Sequence, residues 1–288
     1  MGTYLFSTGV GKNARDTCGK QVRPQGTLWS RMADVTITTV IPAYNEGDRL
    51  FSFLQDWAAA ATVGAGLRAS AIVVDDGSRE KEAERQREAV SAAANALRQS
   101  GSPHSITYVR SDRNRGKGAA IRLGWSRAGD DAMWMGFIDA DGAVPAREYW
   151  RVASTLPSAT ADALCGSRVN MAGRSVSRSL FRHLQGRTFA TFIEWLFHLG
   201  LYDTQCGFKF FRGAALRPIL PKLHEERWLL DVEVLANLKA AGRTLQEVPI
   251  DCHERGGSSL VFGLDPLKMG VRLIGLRRSL QREAGGRT

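Results

Sequence analysis

Long hydrophobic runs are missing from this 288-residue chain. No stretch approaches the roughly 18–20 consecutive apolar residues of a membrane span, and the best candidate, Thr188 to Leu201, is broken by Glu194 and His198. Cysteine is scarce too. Cys18, Cys165, Cys206 and Cys252 are far apart and form no C-x-x-C pair, which excludes a zinc ribbon or a thioredoxin-type redox motif and fits a reduced, cytoplasmic compartment. Near the start, Lys12, Arg15, Asp16, Lys20 and Arg23 occupy the place where a secretory signal carries its apolar core. With 43% hydrophobic and 24% charged residues, neither collagen, nor long coiled coil, nor wholesale disorder fits.

Acid is missing from particular places. Residues 1–31 carry five Lys/Arg against one Asp, residues 163–193 five Arg and no acid, and residues 266–288 six Lys/Arg against one Glu. These stretches account for the net charge of +10, so the rest of the chain is mildly acidic. A nucleic-acid module spreads its basic residues over the folded face that meets phosphate. Nucleic acid is therefore the weaker reading of the charge, and an anionic lipid surface the stronger one.

From Val35 onward, short β-branched runs alternate with longer helical segments, as in a mostly parallel α/β sheet. Strands are predicted over Val35–Ile41, Ala71–Val74, Ile106–Val109, Met133–Ile138, Ala163–Gly166, Phe208–Phe211 and Leu245–Ile250. Helices are predicted over Asp48–Val63, Glu80–Arg98, Lys117–Ala128, Arg147–Leu156 and Leu230–Ala241. A further helical face is expected from Arg174, Arg178 and Arg182, at i, i+4 and i+8, running on through Phe189, Phe192 and Phe197. The expected organisation is a basic mobile tail over 1–33, one α/β domain over 34–262, and a basic amphipathic segment over 263–288.

Ligands of such sheets bind beyond the carboxyl ends of the strands. There the sequence reads Pro42-Ala43-Tyr44-Asn45-Glu46, Asp75-Asp76-Gly77-Ser78 and Asp139-Ala140-Asp141-Gly142. No G-x-G-x-x-G follows the first strand, which excludes a nicotinamide-binding turn, and Asn114-Arg115-Gly116-Lys117-Gly118 lacks the spacing of a Walker loop. Asp139 and Asp141, two apart at a strand end, can share Mg²⁺ or Mn²⁺ on one side of an extended backbone. Asp75, at the end of an apolar strand, needs donors for its carboxylate. A nucleobase or ribose could supply them, and so could an Asx turn running into the helix from Glu80.

Together, in this order, these motifs resemble the family 2 glycosyltransferases of the GT-A fold, a Rossmann-like, mostly parallel central sheet flanked by helices. The resemblance covers roughly residues 35 to 262. Gly166-Ser167-Arg168, Asp203-Thr204-Gln205-Cys206-Gly207-Phe208-Lys209 and Glu226-Arg227-Trp228 with Asp231-Val232-Glu233 narrow it to the dolichyl-phosphate glucosyltransferases. The resemblance implies an inverting transfer of a hexose from a UDP-sugar, UDP-glucose before GDP-mannose, to dolichyl or polyprenyl phosphate by a peripheral membrane enzyme. It places Pro42, Tyr44, Glu46, Val73 and Asp75 around the nucleoside, Asp139, Ala140 and Asp141 at metal and diphosphate, and Arg168 and Arg255 at phosphate groups. Arg178 and Arg182 are expected, with Arg168, to meet the acceptor phosphate. Where relatives read G-x-S-K-L, this chain has Gly257-Ser258-Ser259-Leu260, so a lysine is missing. A mannosyltransferase, or a transferase with a hydroxyl acceptor and a general base, remains the alternative.

Overall fold

β-branched residues dominate Val35–Ala43, which forms β1 and is buried on both faces, as the centre of a parallel sheet requires. Around it a computed structural model describes residues 35–61, 66–168, 176–177, 190–253 and 265–285. β2 (Leu67–Asp75) and β4 (Trp134–Ile138) flank β1 in parallel, and β3 (Ser105–Arg110) extends the sheet beyond β2. On the other side come β7 (Phe208–Arg212), β5 (Ala163–Ser167) and β8 (Leu245–Pro249), giving the order β3-β2-β1-β4-β7-β5-β8.

Only β7 runs against its neighbours in this sheet, antiparallel to both β4 and β5. That reversal matters for the site. The start of β7, not its end, lies at the sheet edge where β1, β2, β4, β5 and β8 finish, so the segment Asp203–Gly207 arrives beside Asp139. The amide of Asp139 donates to the Gly207 carbonyl at 2.9 Å.

Helices cover both faces. α1 (Gly47–Ala60), α2 (Glu80–Gln99) and α4 (Ala146–Ala153) bury Leu50, Phe53, Trp57, Val90, Leu97, Tyr149 and Trp150 with Phe208 and Phe210 of β7. The opposite core joins α3 (Lys117–Trp125), a helix over 190–197 (α5), α7 (Leu230–Ala240) and α8 (Asp265–Gly285), through Trp125, Ile193, Leu196, Leu235 and Leu273 with Phe137 and Phe211. A short α6 (Gly213–Leu216) follows β7.

Every predicted strand is present, and the five predicted helices keep their places with ends moved by a few residues. α4 stops at Ala153 and gives way to a single 3₁₀ turn, Leu156–Ser158, because Pro157 has no amide to continue the ladder. The arginine-rich segment differs from expectation. Val176–Ser177 forms the short strand β6, paired in parallel with β9 (Cys252–His253), so no helix runs unbroken from Arg174 to Phe197. Arg174, Arg178 and Arg182 lie outside the described residues, as do residues 1–34.

Trp150 packs 4.9 Å from Trp57, centroid to centroid, and donates its indole N–H to the Trp57 carbonyl at 3.0 Å. Trp150→Ala removes a fully buried ring and is expected to cost about 3–5 kcal/mol. Urea unfolding measures it; a cost under about 1 kcal/mol would contradict this packing.

Candidate active site at the strand ends

The turns after β1, β2 and β3 are laced together by their own hydrogen bonds. Asn45, in the left-handed region at φ +54°, donates its backbone amide to Ser78 Oγ (2.8 Å) and accepts the amide of Arg79 at Oδ1 (3.0 Å). Asp76 accepts from the amides of Arg115 at 2.9 Å and Gly116 at 2.6 Å. The loops after β1, β2 and β3 thus form one surface.

Asp75 is fully buried. Its Oδ1 accepts the Ser78 amide at 2.8 Å, its Oδ2 the Tyr108 hydroxyl at 2.7 Å, and Arg110 Nε stands 3.4 Å away. The donors that its burial demanded come from the protein: Asp75 forms the Asx turn and is shielded from a ligand in this arrangement. Val73 was expected beside the nucleoside. Its side chain is wholly buried in the core on the α1, α2 and α4 face of β2, because successive strand residues alternate faces. Pro42 and Tyr44 do border the edge, Tyr44 exposed and Pro42 half-buried, and Ala140 is buried.

The carboxylates meet at the end of β4. The backbone turns at Ala140 and Asp141 instead of staying extended, and Asp141 Oδ1 accepts the Ala143 amide at 2.9 Å. Burial, and then the like charge of Asp139, push the Asp141 carboxyl above its ordinary range. Glu46 belongs to the same field: burial raises its pKa, Arg49 at 2.6 Å opposes this, and Asp141 and Asp139 add to it. Among the described residues no group of three or more His, Cys, Asp or Glu is arranged to hold a metal ion by protein ligands alone.

Lys117 opens α3 and places Nζ 2.6 Å from Asp139 Oδ1. The glycines on either side explain how it gets there. A Cβ on Gly116 would come 2.5 Å from the Glu226 carbonyl oxygen, and one on Gly118 would come 2.8 Å from the carbonyl oxygens of Glu225 and Arg227. Two glycines therefore let the 225–227 backbone pass against the start of α3, where Ala119 donates to the Glu226 carbonyl at 2.9 Å. Arg115 also pairs with the Glu226 carboxylate. Trp228 follows, half exposed, with its ring centroid 5.7 Å from the Lys117 ammonium.

At the β7 side the charges of Arg168 and Lys209 are paired. Arg168 forms a fork with Asp203, Nε to Oδ2 at 2.7 Å and Nη2 to Oδ1 at 2.9 Å, and its amide adds a third bond at 3.0 Å. A phosphate would meet a guanidinium already neutralised, so Arg168 first fixes the end of β5 to the segment before β7. Lys209, fully buried, donates to Asp231 Oδ1 at 2.5 Å and to the Cys206 carbonyl at 2.6 Å. Glu233 accepts the amides of His224 and Glu225, both at 2.9 Å, and so shapes the loop that carries Trp228. Arg255, Arg178 and Arg182 lie outside the described residues. Trp228 was given no site role from sequence, and Lys117 none of its own, although the resemblance already placed the Asn114–Gly118 motif in the nucleotide-sugar half; the signal was a lysine held between two glycines at a helix start.

The model of the family described as glycosyl transferase family 2 matches residues 38–220. The dolichyl-phosphate beta-glucosyltransferase of Homo sapiens is 33% identical over 254 residues, 84% of this chain and 74% of that one. The protein of the same name from Saccharomyces cerevisiae is 30% identical over 261 residues, 85% and 75% of the two chains. Among solved structures, glucosyl-3-phosphoglycerate synthase from Mycobacterium tuberculosis, in complex with Mn²⁺ and UDP-glucose, has TM-score 0.54 at 16% identity, covering 90% of this chain and 84% of that one. A mannosyltransferase from Pyrobaculum calidifontis, in complex with GDP-Man and Mn²⁺, has TM-score 0.50 at 16% identity, covering 78% of this chain and 58% of that one. Likeness at 16% identity speaks to the fold alone.

The Arg168–Asp203 fork yields a pH signature. Burial alone would raise the Asp203 carboxyl; the charge and hydrogen bonds of Arg168 outweigh it and bring the pKa down to about 2. A depressed carboxylate contributes stability that is fully present above the unfolded value, near 4, and lost as pH falls towards the folded one. Asp203→Asn is expected to flatten the stability curve between about pH 4 and pH 2 and to cost about 3 kcal/mol at neutral pH by leaving Arg168 unpaired. Urea unfolding of both proteins across this range is the check, and parallel curves would contradict it.

Proposed function

Because the chain belongs to glycosyl transferase family 2 and is a glycosyltransferase of the GT-A fold, we propose that it moves a hexose, glucose before mannose, from a UDP-sugar to dolichyl or polyprenyl phosphate, with inversion. The observation that carries this reading is the commitment of the carboxylates at the strand ends. Asp203 is tied to Arg168, Asp231 to Lys209, Glu226 to Arg115 and Glu46 to Arg49, while Glu233 and Asp76 hold backbone amides. A hydroxyl acceptor sheds a proton as it attacks and calls for a free base. A phosphate monoester, with a second pKa of about 6, arrives at neutral pH as an anion that attacks unaided. The names of the curated relatives support the same acceptor.

The donor set fits a divalent ion, Mg²⁺ or Mn²⁺. Asp141 and Glu46 are held above their ordinary pKa by burial and by like charge, which an added cation relieves. Protein carboxylates alone make a thin ligand set, as suits an ion that also takes oxygens from a diphosphate. Asp139 and Asp141 would hold it, and when bound it would neutralise the departing diphosphate. Pro42, Tyr44 and Ala140 border the donor pocket in this proposal, Asp75 and Val73 support it from beneath, Arg168 positions the β5 end, and Arg178, Arg182 and Arg255 reach the phosphate groups.

Membrane contact is proposed to be peripheral, on the cytoplasmic face. Among the described residues no helix is long and apolar enough to cross a membrane. α8 exposes Val271 and Ile274 beside Arg272, Arg277, Arg278 and Arg282, and Trp195 and Tyr202 are exposed near α5. Apolar and cationic side chains together suit the headgroup level of an anionic lipid surface.

Two outcomes are expected. UDP with Mn²⁺ raises the thermal midpoint more than UDP alone or GDP with Mn²⁺, since a ligand of the native state stabilises it, and Asp141→Asn or Asp139→Asn abolishes the metal-dependent part. A GDP preference, or metal-independent stabilisation, contradicts the donor assignment. The protein should also sediment with phosphatidylserine vesicles and release as salt rises, because exposed charge attraction is screened; equal binding to neutral vesicles at high salt contradicts the electrostatic account.

A further inference from the structure

Lys117 stands where helix electrostatics and solvation both disfavour it. It is the first residue of α3, the positive end of the helix dipole, and α3 has no acid in its first turn. Its side chain is 13% exposed, so the ammonium has given up most of its water. What holds it there is the site itself. Nζ is 2.6 Å from Asp139 Oδ1, 5.4 Å from the Phe137 ring centroid and 5.7 Å from that of Trp228, and it sits in the field of Asp139, Asp231 and Asp141. The backbone beneath it is immobilised, since Gly116 and Gly118 are pressed against the carbonyl oxygens of residues 225–227.

The Asp231 charge is already shared with Lys209, and Arg49 serves Glu46. Asp139 is thus the carboxylate that Lys117 directly pairs, and Asp139 is also the residue proposed to meet the metal. One carboxylate oxygen 2.6 Å from an ammonium cannot at the same time offer its full charge to a divalent ion. A cation so placed competes with the metal and, once displaced from Asp139, remains beside it with its donors turned to the incoming anion.

We propose that Lys117 is a resident cation that occupies Asp139 in the ligand-free site and passes to a phosphate oxygen of the nucleoside diphosphate when the divalent ion takes the carboxylate. This rests on the metal-and-UDP reading above. No covalent bond is made or broken in the exchange: one ammonium contact replaces another. The arrangement makes metal and diphosphate bind together, and it weakens binding of the metal alone. Lys117 is accordingly a donor-binding residue in addition to Asp139 and Asp141, and the two glycines around it are its mounting.

The test uses the full chain and isothermal titration calorimetry with Mn²⁺ alone, UDP alone, and the two together, on wild type, Lys117→Met, Lys117→Gln and Lys117→Arg. Circular dichroism and thermal midpoints establish that each variant is folded. Both neutral variants are expected to bind Mn²⁺ alone at least about tenfold more tightly than wild type and UDP alone about tenfold more weakly, with Lys117→Arg close to wild type in both. These are modest fractions of the effect that a unit charge this close can exert. Unchanged or weaker Mn²⁺ binding in the neutral variants overturns the proposal, and so does unchanged UDP binding. If a neutral variant fails to fold, Lys117→Arg still decides: loss of its UDP affinity to the level expected of a neutral residue would overturn the role of charge. Failure of the underlying reading looks different, because wild type would then bind no Mn²⁺ even with saturating UDP.

Discussion

The site depends on how closely β4 and the start of β7 approach. Asp139 donates its amide to Gly207, and a Cβ at Gly207 would fall 1.8 Å from Asp139 Oδ2, so only glycine lets the carboxylate occupy that place. Gly136, two residues before the end of the same strand, is bound by the same limit, since its Cβ would come 2.5 Å from the Lys209 carbonyl oxygen. The antiparallel β7 is thereby drawn tight against the parallel half of the sheet. One consequence is that the Asp139 carboxylate lies with Oδ2 against the Gly207 backbone and Oδ1 towards Lys117.

A second consequence is economy of charge. The strand ends gather acids from four turns, and most are met by a cation or by backbone amides before any ligand binds. Buried pairs such as Lys209–Asp231 are weak stabilisers and strong restraints, because breaking one partner strands the other. They hold β7 to α7, as Arg168–Asp203 holds β5 to the segment before β7. What remains less satisfied is Asp141, whose burial and repulsion from Asp139 store an affinity for positive charge. Chemistry is placed where the framework leaves charge uncompensated.

Much of this was legible in the sequence. β-branched runs ending in Asp75 and Asp139 located the strands and the edge where the acids collect, because burial on both faces demands continuous apolar strands and ligands gather beyond their ends. The resemblance read from those motifs agrees with the family model and the curated relatives. Other features were hidden because they are relations between distant residues. Nothing in Val176–Ser177 announces its pairing with Cys252–His253. Asp75 looks like a binding group until Tyr108 and Arg110, from the neighbouring strand, are seen to satisfy it. Arg168 reads as a free cation for the same reason, until Asp203 is beside it. Lys117 shows the reverse case, a residue of a glycine-rich motif whose pairing with Asp139 only the fold reveals.

The central claim concerns the acceptor, because committed carboxylates suit an acceptor that needs no base. Its most direct measurement is transfer of label from UDP-[¹⁴C]glucose, with Mn²⁺, to polyprenyl phosphate set beside free polyprenol of the same chain and soluble sugars. Label should pass to the phosphate and not to the hydroxyl acceptors. Efficient transfer to polyprenol or a sugar, with none to polyprenyl phosphate, would contradict the account.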